Sequence, residues 1–162
     1  MGCIFLICLI VCLDQVSKVA ARTFFMEGDM RPLIPGFLSL TYFKNEGVAF
    51  SILSGHRVII LVIGIFALAL ISLLFFLFGR QNMLAKLALS MILGGGVGNM
   101  IDRFFRGQVT DMIKISFFPP IFNIADIFVV VGCLFLLLAL LRSTTTTKKA
   151  KAGEKKETEG DA

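Results

Sequence analysis

Histidine occurs once, at His56, and the four cysteines, Cys3, Cys8, Cys12 and Cys133, form no CxxC pair. A Ser-His-Asp triad needs an imidazole beside its serine, and an HExxH zinc site needs two on one helix face. A single loop histidine supplies neither. The cysteines sit in apolar runs, so they read as small core hydrophobes, and neither a disulfide framework nor a zinc site is expected. Charge is also scarce, at 17% of residues against 57% apolar, with a mean hydropathy of +0.89. That balance lies well beyond soluble globular usage, so most of the 162 residues are expected to face lipid. The net charge of +5 comes from basic residues that flank the apolar runs and crowd the tail. They do not interleave with aromatics, so no nucleic-acid partner is expected.

Four apolar blocks, at 2–22, 58–78, 83–101 and 122–141, approach the length that crosses a hydrocarbon core as a helix. They lack the period-2 alternation of a barrel strand, and lipid tolerates no unpaired backbone, so each is expected to be helical. The predicted fold is an all-α membrane protein with four transmembrane helices and a small exterior β-sheet. The first block has no Lys or Arg before its apolar run and carries Asp14 and Lys18 where a cleavage region would be small and neutral. It therefore reads as a retained helix. Met1-Gly2 does not extend to a myristoylation signal, because Leu6 stands where Ser or Thr is needed. Arg80 and Lys86 in the short second turn, with Arg142, Lys148, Lys149, Lys151, Lys155 and Lys156 in the tail, point to cytoplasmic ends. Both termini are expected there.

The connection between the first two blocks spans about 35 residues, too long for a plain link and therefore expected to be structured. Leu38, Leu40 and Tyr42 alternate with Ser39 and Thr41, Lys44-Asn45-Glu46-Gly47 has turn chemistry, and Val48, Phe50 and Ile52 alternate with Ala49 and Ser51. This predicts a hairpin on the outer surface, between helices one and two. Residues 104–121 mix charge with aromatics and end in Pro119-Pro120, which suits an interfacial stretch re-entering the membrane. From Ser143 the threonine run and Lys/Glu/Gly tail cannot bury a core, so 1–142 is expected to be the functional unit and 143–162 a disordered basic tail.

With both ends cytoplasmic, the polar residues of the helices fall at one depth, near the outer leaflet. Asp14 and Lys18 lie in the outer half of helix one. Asn99, Asp102 and Arg103 end helix three, Asp111 follows, and Asn123 and Asp126 open helix four. The pairs Asp14/Lys18 and Asn99/Arg103 are spaced i,i+4, and Asn99/Asp102 and Asn123/Asp126 are spaced i,i+3, so each pair shares a helix face. Ionisable groups at membrane depth usually face the bundle interior and mark a site. Asp14–Lys18 reads either as an internal ion pair or as a substrate contact, Arg103 as the partner of Asp14 or Asp102, and Asn45 either as a turn residue or as part of the site. Asp111 and Asp126 lack a basic residue at i±3 or i±4, apart from Lys114 near the first. Two close carboxylates share a proton, and one acid plus one base suffices for peptide hydrolysis without metal.

Gly94-Gly95-Gly96-Val97-Gly98 lacks the Lys-Ser/Thr of a phosphate loop; Gly94 and Gly98 read instead as a close-packing surface. Ser17 and Lys18, as helix neighbours, point about 100° apart, which argues against a serine–lysine dyad. A proton-coupled transporter stays open as the other reading, although it would favour midplane polar residues and internal repeats. An assembly subunit is a third.

Five blocks carry a family resemblance: Asp14-Gln15-Val16-Ser17-Lys18, Asn45-Glu46-Gly47-Val48-Ala49-Phe50-Ser51, Gly98-Asn99-Met100-Ile101-Asp102-Arg103, Val109-Thr110-Asp111-Met112-Ile113 and Phe122-Asn123-Ile124-Ala125-Asp126. In this order they resemble the lipoprotein signal peptidase, or signal peptidase II, family. The resemblance implies an aspartic endopeptidase of the bacterial cytoplasmic (inner) membrane. Such an enzyme removes signal peptides from diacylglyceryl-modified prolipoproteins by cutting before the lipidated cysteine. It also implies a catalytic pair at Asp111 and Asp126, support from Asp14, Lys18, Asn45, Asn99, Arg103 and Asn123, with Asp102 in the matching third block, and a periplasm-facing β-cradle. The implied partners are lipidated prolipoproteins and membrane lipid. A monomer without cofactor or metal is expected. Val48 stands where the family usually has Ala, and Thr110 and Met112 replace the common Val and Phe.

Overall fold

The computed structural model describes residues 2–47, 55–78 and 82–160, with side chains described to residue 142. The four apolar blocks form helices α1 (Gly2–Phe24), α2 (Arg57–Phe78), α3 (Met83–Arg106) and α4 (Ile124–Gly160), the last long and apolar enough to cross a membrane over Ile124–Arg142. The glycine-rich block becomes the centre of the bundle. Half of the α3 span is buried, against 6% of α2, and α3 packs on all three other helices. Gly94 and Gly98 make this possible on the α1 side. A methyl group on them would press on Ile10 and on the Asp14 carboxylate respectively. Asn82 caps α3 by accepting from the N–H groups of Leu84 and Ala85, and Gly107, at φ 79°, closes its far end. Arg57 adds a 2.8 Å bond from its guanidinium to the Phe104 carbonyl.

Four strands form one antiparallel sheet in the order β1 (Met30–Ile34), β2 (Leu38–Asn45), β3 (Val109–Ile115) and β4 (Ile121–Phe122). The first two follow α1 and the last two follow α3, so all lie at the end of the bundle where α1 and α3 finish and α2 and α4 begin. The expected sheet is therefore present, but only half of it comes from between helices one and two. Val48–Ser51 and Ile52, the expected second arm of the hairpin, lie outside the described residues, as does Arg80. The strand at 38–45 pairs instead with β1 and β3. The stretch expected to be interfacial supplies β3, whose residues Val109, Thr110, Asp111 and Met112 are buried. Burial on both faces hides the alternation that marks a half-exposed strand.

One further expectation differs. Cys8, Cys12 and Cys133 are exposed on the helices and Cys3 is half-buried, so they are not core residues. A small thiol suits a lipid-facing position as well as a core one. The backbone of α4 continues as helix to Gly160. Extending an existing helix needs no new nucleus, and Ala, Lys and Glu favour it.

Candidate active site

Asp111 sits on β3, and Asn45 ends the adjacent β2. The register pairs Phe43 with Asp111 and Asn45 with Val109, which makes Asn45 and Asp111 diagonal neighbours on one sheet face. The Asn45 amide donates to Asp111 Oδ2 at 2.9 Å, while its own oxygen accepts from the Gly47 N–H at 3.0 Å. It is thus both a turn residue and part of the site.

Asp126 opens α4 in a reciprocal cap. Asn123 Oδ1 accepts from the Asp126 N–H at 3.0 Å, and Asp126 Oδ2 accepts from the Asn123 N–H at 3.1 Å. With its oxygen engaged, the Asn123 amide nitrogen turns outward and donates to Asp111 Oδ1 at 2.7 Å. The fourth carboxylate oxygen, Asp126 Oδ1, accepts from Asn99 Nδ2 at 2.7 Å. Each oxygen of the two aspartates therefore holds one N–H donor, and Asn123 touches both groups. Burial pushes the Asp111 carboxyl up from an ordinary 3.8 to about 6; the Asn45 bond opposes this, the nearby Asp126 charge adds to it, and Asn123 and Lys18 oppose it.

Behind the pair lies a buried ionic network. Lys18 Nζ meets Asp14 Oδ2 at 2.8 Å and donates to Asn99 Oδ1 at 2.9 Å, all three side chains approaching from α1 or α3. Asp14 Oδ1 accepts from the Ala125 N–H at 3.0 Å, so a carboxylate on α1 caps the first turn of α4. The Asp14–Lys18 pairing is thus an internal ion pair that also ties α1 to the helix carrying Asp126.

Asp102 is fully buried and accepts from the Thr110 N–H at 3.0 Å, which fixes β3 one residue before Asp111. Its charged neighbours are Lys18, Arg22 and Arg106, each at 3.6 Å. Arg103, expected to pair with Asp14 or Asp102, instead donates to the Gly47 carbonyl at 3.1 Å, with its charge near Asp126, Asp111 and Asp102. Adjacent helix positions point about 100° apart, so Arg103 follows Asn99 toward the aspartates and leaves Asp102 to Arg106.

Two participants carry no role in the sequence reading. Gln15 donates to Asp14 Oδ2 and to the Gly98 carbonyl. Arg22 donates to Thr110 Oγ1 at 2.8 Å. Arg22 was legible as the next i+4 step after Asp14 and Lys18, but it reads equally well as a flanking topology charge. Gln15 was marked only by its place in the Asp14–Lys18 block of the family resemblance.

Among the described residues, no group of three or more His, Cys, Asp or Glu is arranged to hold a metal ion. The aspartate pair can carry out general acid–base chemistry on a neutral substrate, since one member titrates near the physiological range while the other lies close beside it.

A family model described as Signal peptidase (SPase) II matches residues 6–142. The lipoprotein signal peptidases of Staphylococcus aureus strains JH9 and Newman are each 36% identical to this chain over 143 residues, covering 86% of it and 88% of their own length. A solved bacterial membrane enzyme at 2.3 Å resolution superposes with a TM-score of 0.83 at 36% identity, covering 90% of both chains. A second, at 1.9 Å resolution, gives a TM-score of 0.79 at 35% identity over 86% of this chain and 92% of its own. Sequence and architecture agree across nearly the whole bundle and its sheet, and the chain belongs to the signal peptidase II family.

Proposed function

We propose that the protein is an aspartic endopeptidase that removes signal peptides from diacylglyceryl-modified prolipoproteins, cutting before the lipidated cysteine, with Asp111 and Asp126 as the catalytic pair. The observation that carries this reading is the convergence of the two carboxylates on Asn123, with one amide donor at every carboxylate oxygen. That arrangement fixes both groups while leaving each oxygen a second lone pair for water or a proton.

In the proposed reaction the ionised member takes a proton from a water molecule, whose oxygen attacks the scissile carbonyl carbon. The protonated member hydrogen-bonds the carbonyl oxygen and supports the negative charge that develops there. The tetrahedral intermediate collapses, the C–N bond breaks, and the departing nitrogen of the lipidated cysteine takes a proton from the pair. Asp14, Lys18, Asn45, Asn99, Asp102, Arg103 and Asn123 hold the pair in place. The site works at the outer leaflet of the bacterial inner membrane with both termini cytoplasmic. The chain acts as a monomer in contact with lipid, and residues 1–142 suffice for activity.

The polar groups gather at the sheet end of the bundle, not at mid-depth, which favours a peptidase over a proton-coupled transporter. The direct test incubates the purified protein with a lipidated prolipoprotein and with its unlipidated form. Release of the signal peptide from the lipidated form alone is expected. No cleavage of either would overturn the reading. Cleavage of both would remove the lipid from substrate recognition.

A further inference from the structure

Lys18 is fully buried, and its ammonium carries three donors and no acceptor. An asparagine amide facing it must present oxygen. Asn99 does so at 2.9 Å, and its nitrogen consequently points the other way, at Asp126 Oδ1, 2.7 Å away. If the amide rotated by half a turn, two donors would face each other at Lys18 and two acceptors at Asp126. Asn123 Nδ2 reaches the same Asn99 oxygen at 3.1 Å and reinforces the orientation.

We propose that Lys18 is a positioning residue for the peptidase reaction: it sets the orientation of the Asn99 amide, and through it the hydrogen bond that holds the Asp126 carboxylate. This goes beyond the ion pair with Asp14. A buried pair of like volume can often be exchanged for neutral groups with little change in stability. A donor-only head group at position 18 has no neutral substitute of that kind. The inference rests on the assignment of Asp126 to the catalytic pair.

Lys18→Met alone would strand the Asp14 carboxylate in the interior and could unfold the protein. The test therefore uses the neutral double variant D14N/K18M, measured for signal-peptide release, for binding of lipidated substrate and for thermal unfolding in detergent. The expected kcat is about tenfold below wild type, the low end for losing a charge-assisted hydrogen bond because Asn123 still holds part of the orientation. KM and the unfolding temperature should stay close to wild type.

In an Asn99→Ala background the same double substitution should lower kcat no further, since Lys18 acts through Asn99. Three results would overturn the proposal: unchanged kcat in D14N/K18M, a loss of kcat matched by a loss of stability, or a full additional loss in the Asn99→Ala background. Asp126→Asn serves as a separate arm. Its turnover at the wild-type rate would refute the catalytic assignment itself, whatever Lys18 does.

Discussion

Gly95 lies where α3 crosses the start of α4, and Gly95→Ala tests how tightly the bundle sets the position of Asp126. The added methyl carbon would overlap the Ala125 carbonyl oxygen and stand 2.8 Å from Val129 Cγ2. The oxygen is backbone and cannot swing aside, so the helices must part by about 1 Å; a close-packed interior transmits such a shift instead of absorbing it. Overpacking of this kind costs about 1–3 kcal/mol. Alanine recovers about 1 kcal/mol in helix propensity over glycine. The net stability loss should therefore be modest, between about 0 and 2 kcal/mol. Activity should suffer more. The parting acts one residue from Asp126 and stretches its bond to Asn99, and a misplacement of about 1 Å costs on the order of 100-fold in rate. Gly96→Ala is the matched control, because its methyl meets only the Leu68 side chain, most closely Cδ2 at 2.8 Å, the far end of a rotatable side chain on α2. Signal-peptide release and thermal unfolding, measured for both variants in detergent, decide the matter. Full activity in Gly95→Ala, or equal losses in the two, would refute the claim that the α3–α4 contact positions the aspartate.

Three further outcomes are expected. The Asp111 carboxyl titrates near 6 in the folded protein against an ordinary 3.8, so its contribution to stability is fully present below 3.8 and lost as pH rises through about 6, a change of about 3 kcal/mol. The stability difference between wild type and Asp111→Asn should follow that window in unfolding scans; a pH-independent difference would refute the buried, raised carboxyl. Asn123→Ala removes a helix cap worth about 1 kcal/mol and the side-chain bonds to Asp111 and Asn99, leaving only the backbone N–H on Asp126 Oδ2, so unfolding should shift slightly while kcat falls steeply; a change in stability alone would make Asn123 a cap only. Cleavage should persist in EDTA, and loss that zinc restores would contradict water activation by carboxylates.

The four spans were legible because lipid demands long apolar runs, and they end within a few residues of where hydropathy places them. The candidate residues were legible as types and as neighbours on a helix face: i,i+3 and i,i+4 spacing put Asp14 with Lys18 and Asn123 with Asp126, and both pairs form. Their pairing across elements was not. Nothing in helical spacing says that Asp14 caps α4 or that Asn123 bridges two carboxylates, because those contacts join residues far apart in the chain. Arg103 shows the same limit. Opposite charge suggested a carboxylate partner, whereas the helix turn directs it to a carbonyl of the loop after β2. The second half of the sheet was hidden for a different reason. A strand buried on both faces loses its alternation, and charged or aromatic neighbours then make it resemble an interfacial loop.

The division of labour between Asp111 and Asp126 and the rest of the network is decided by replacing each with asparagine, which keeps the size and loses the exchangeable proton. Purified Asp111→Asn and Asp126→Asn are compared with wild type for release of the signal peptide from a lipidated prolipoprotein and for binding of that substrate. Both variants should bind it and neither should cleave it. Substantial cleavage by either one, with its fold intact, would contradict the assignment and move the chemistry to another carboxylate such as Asp14 or Asp102.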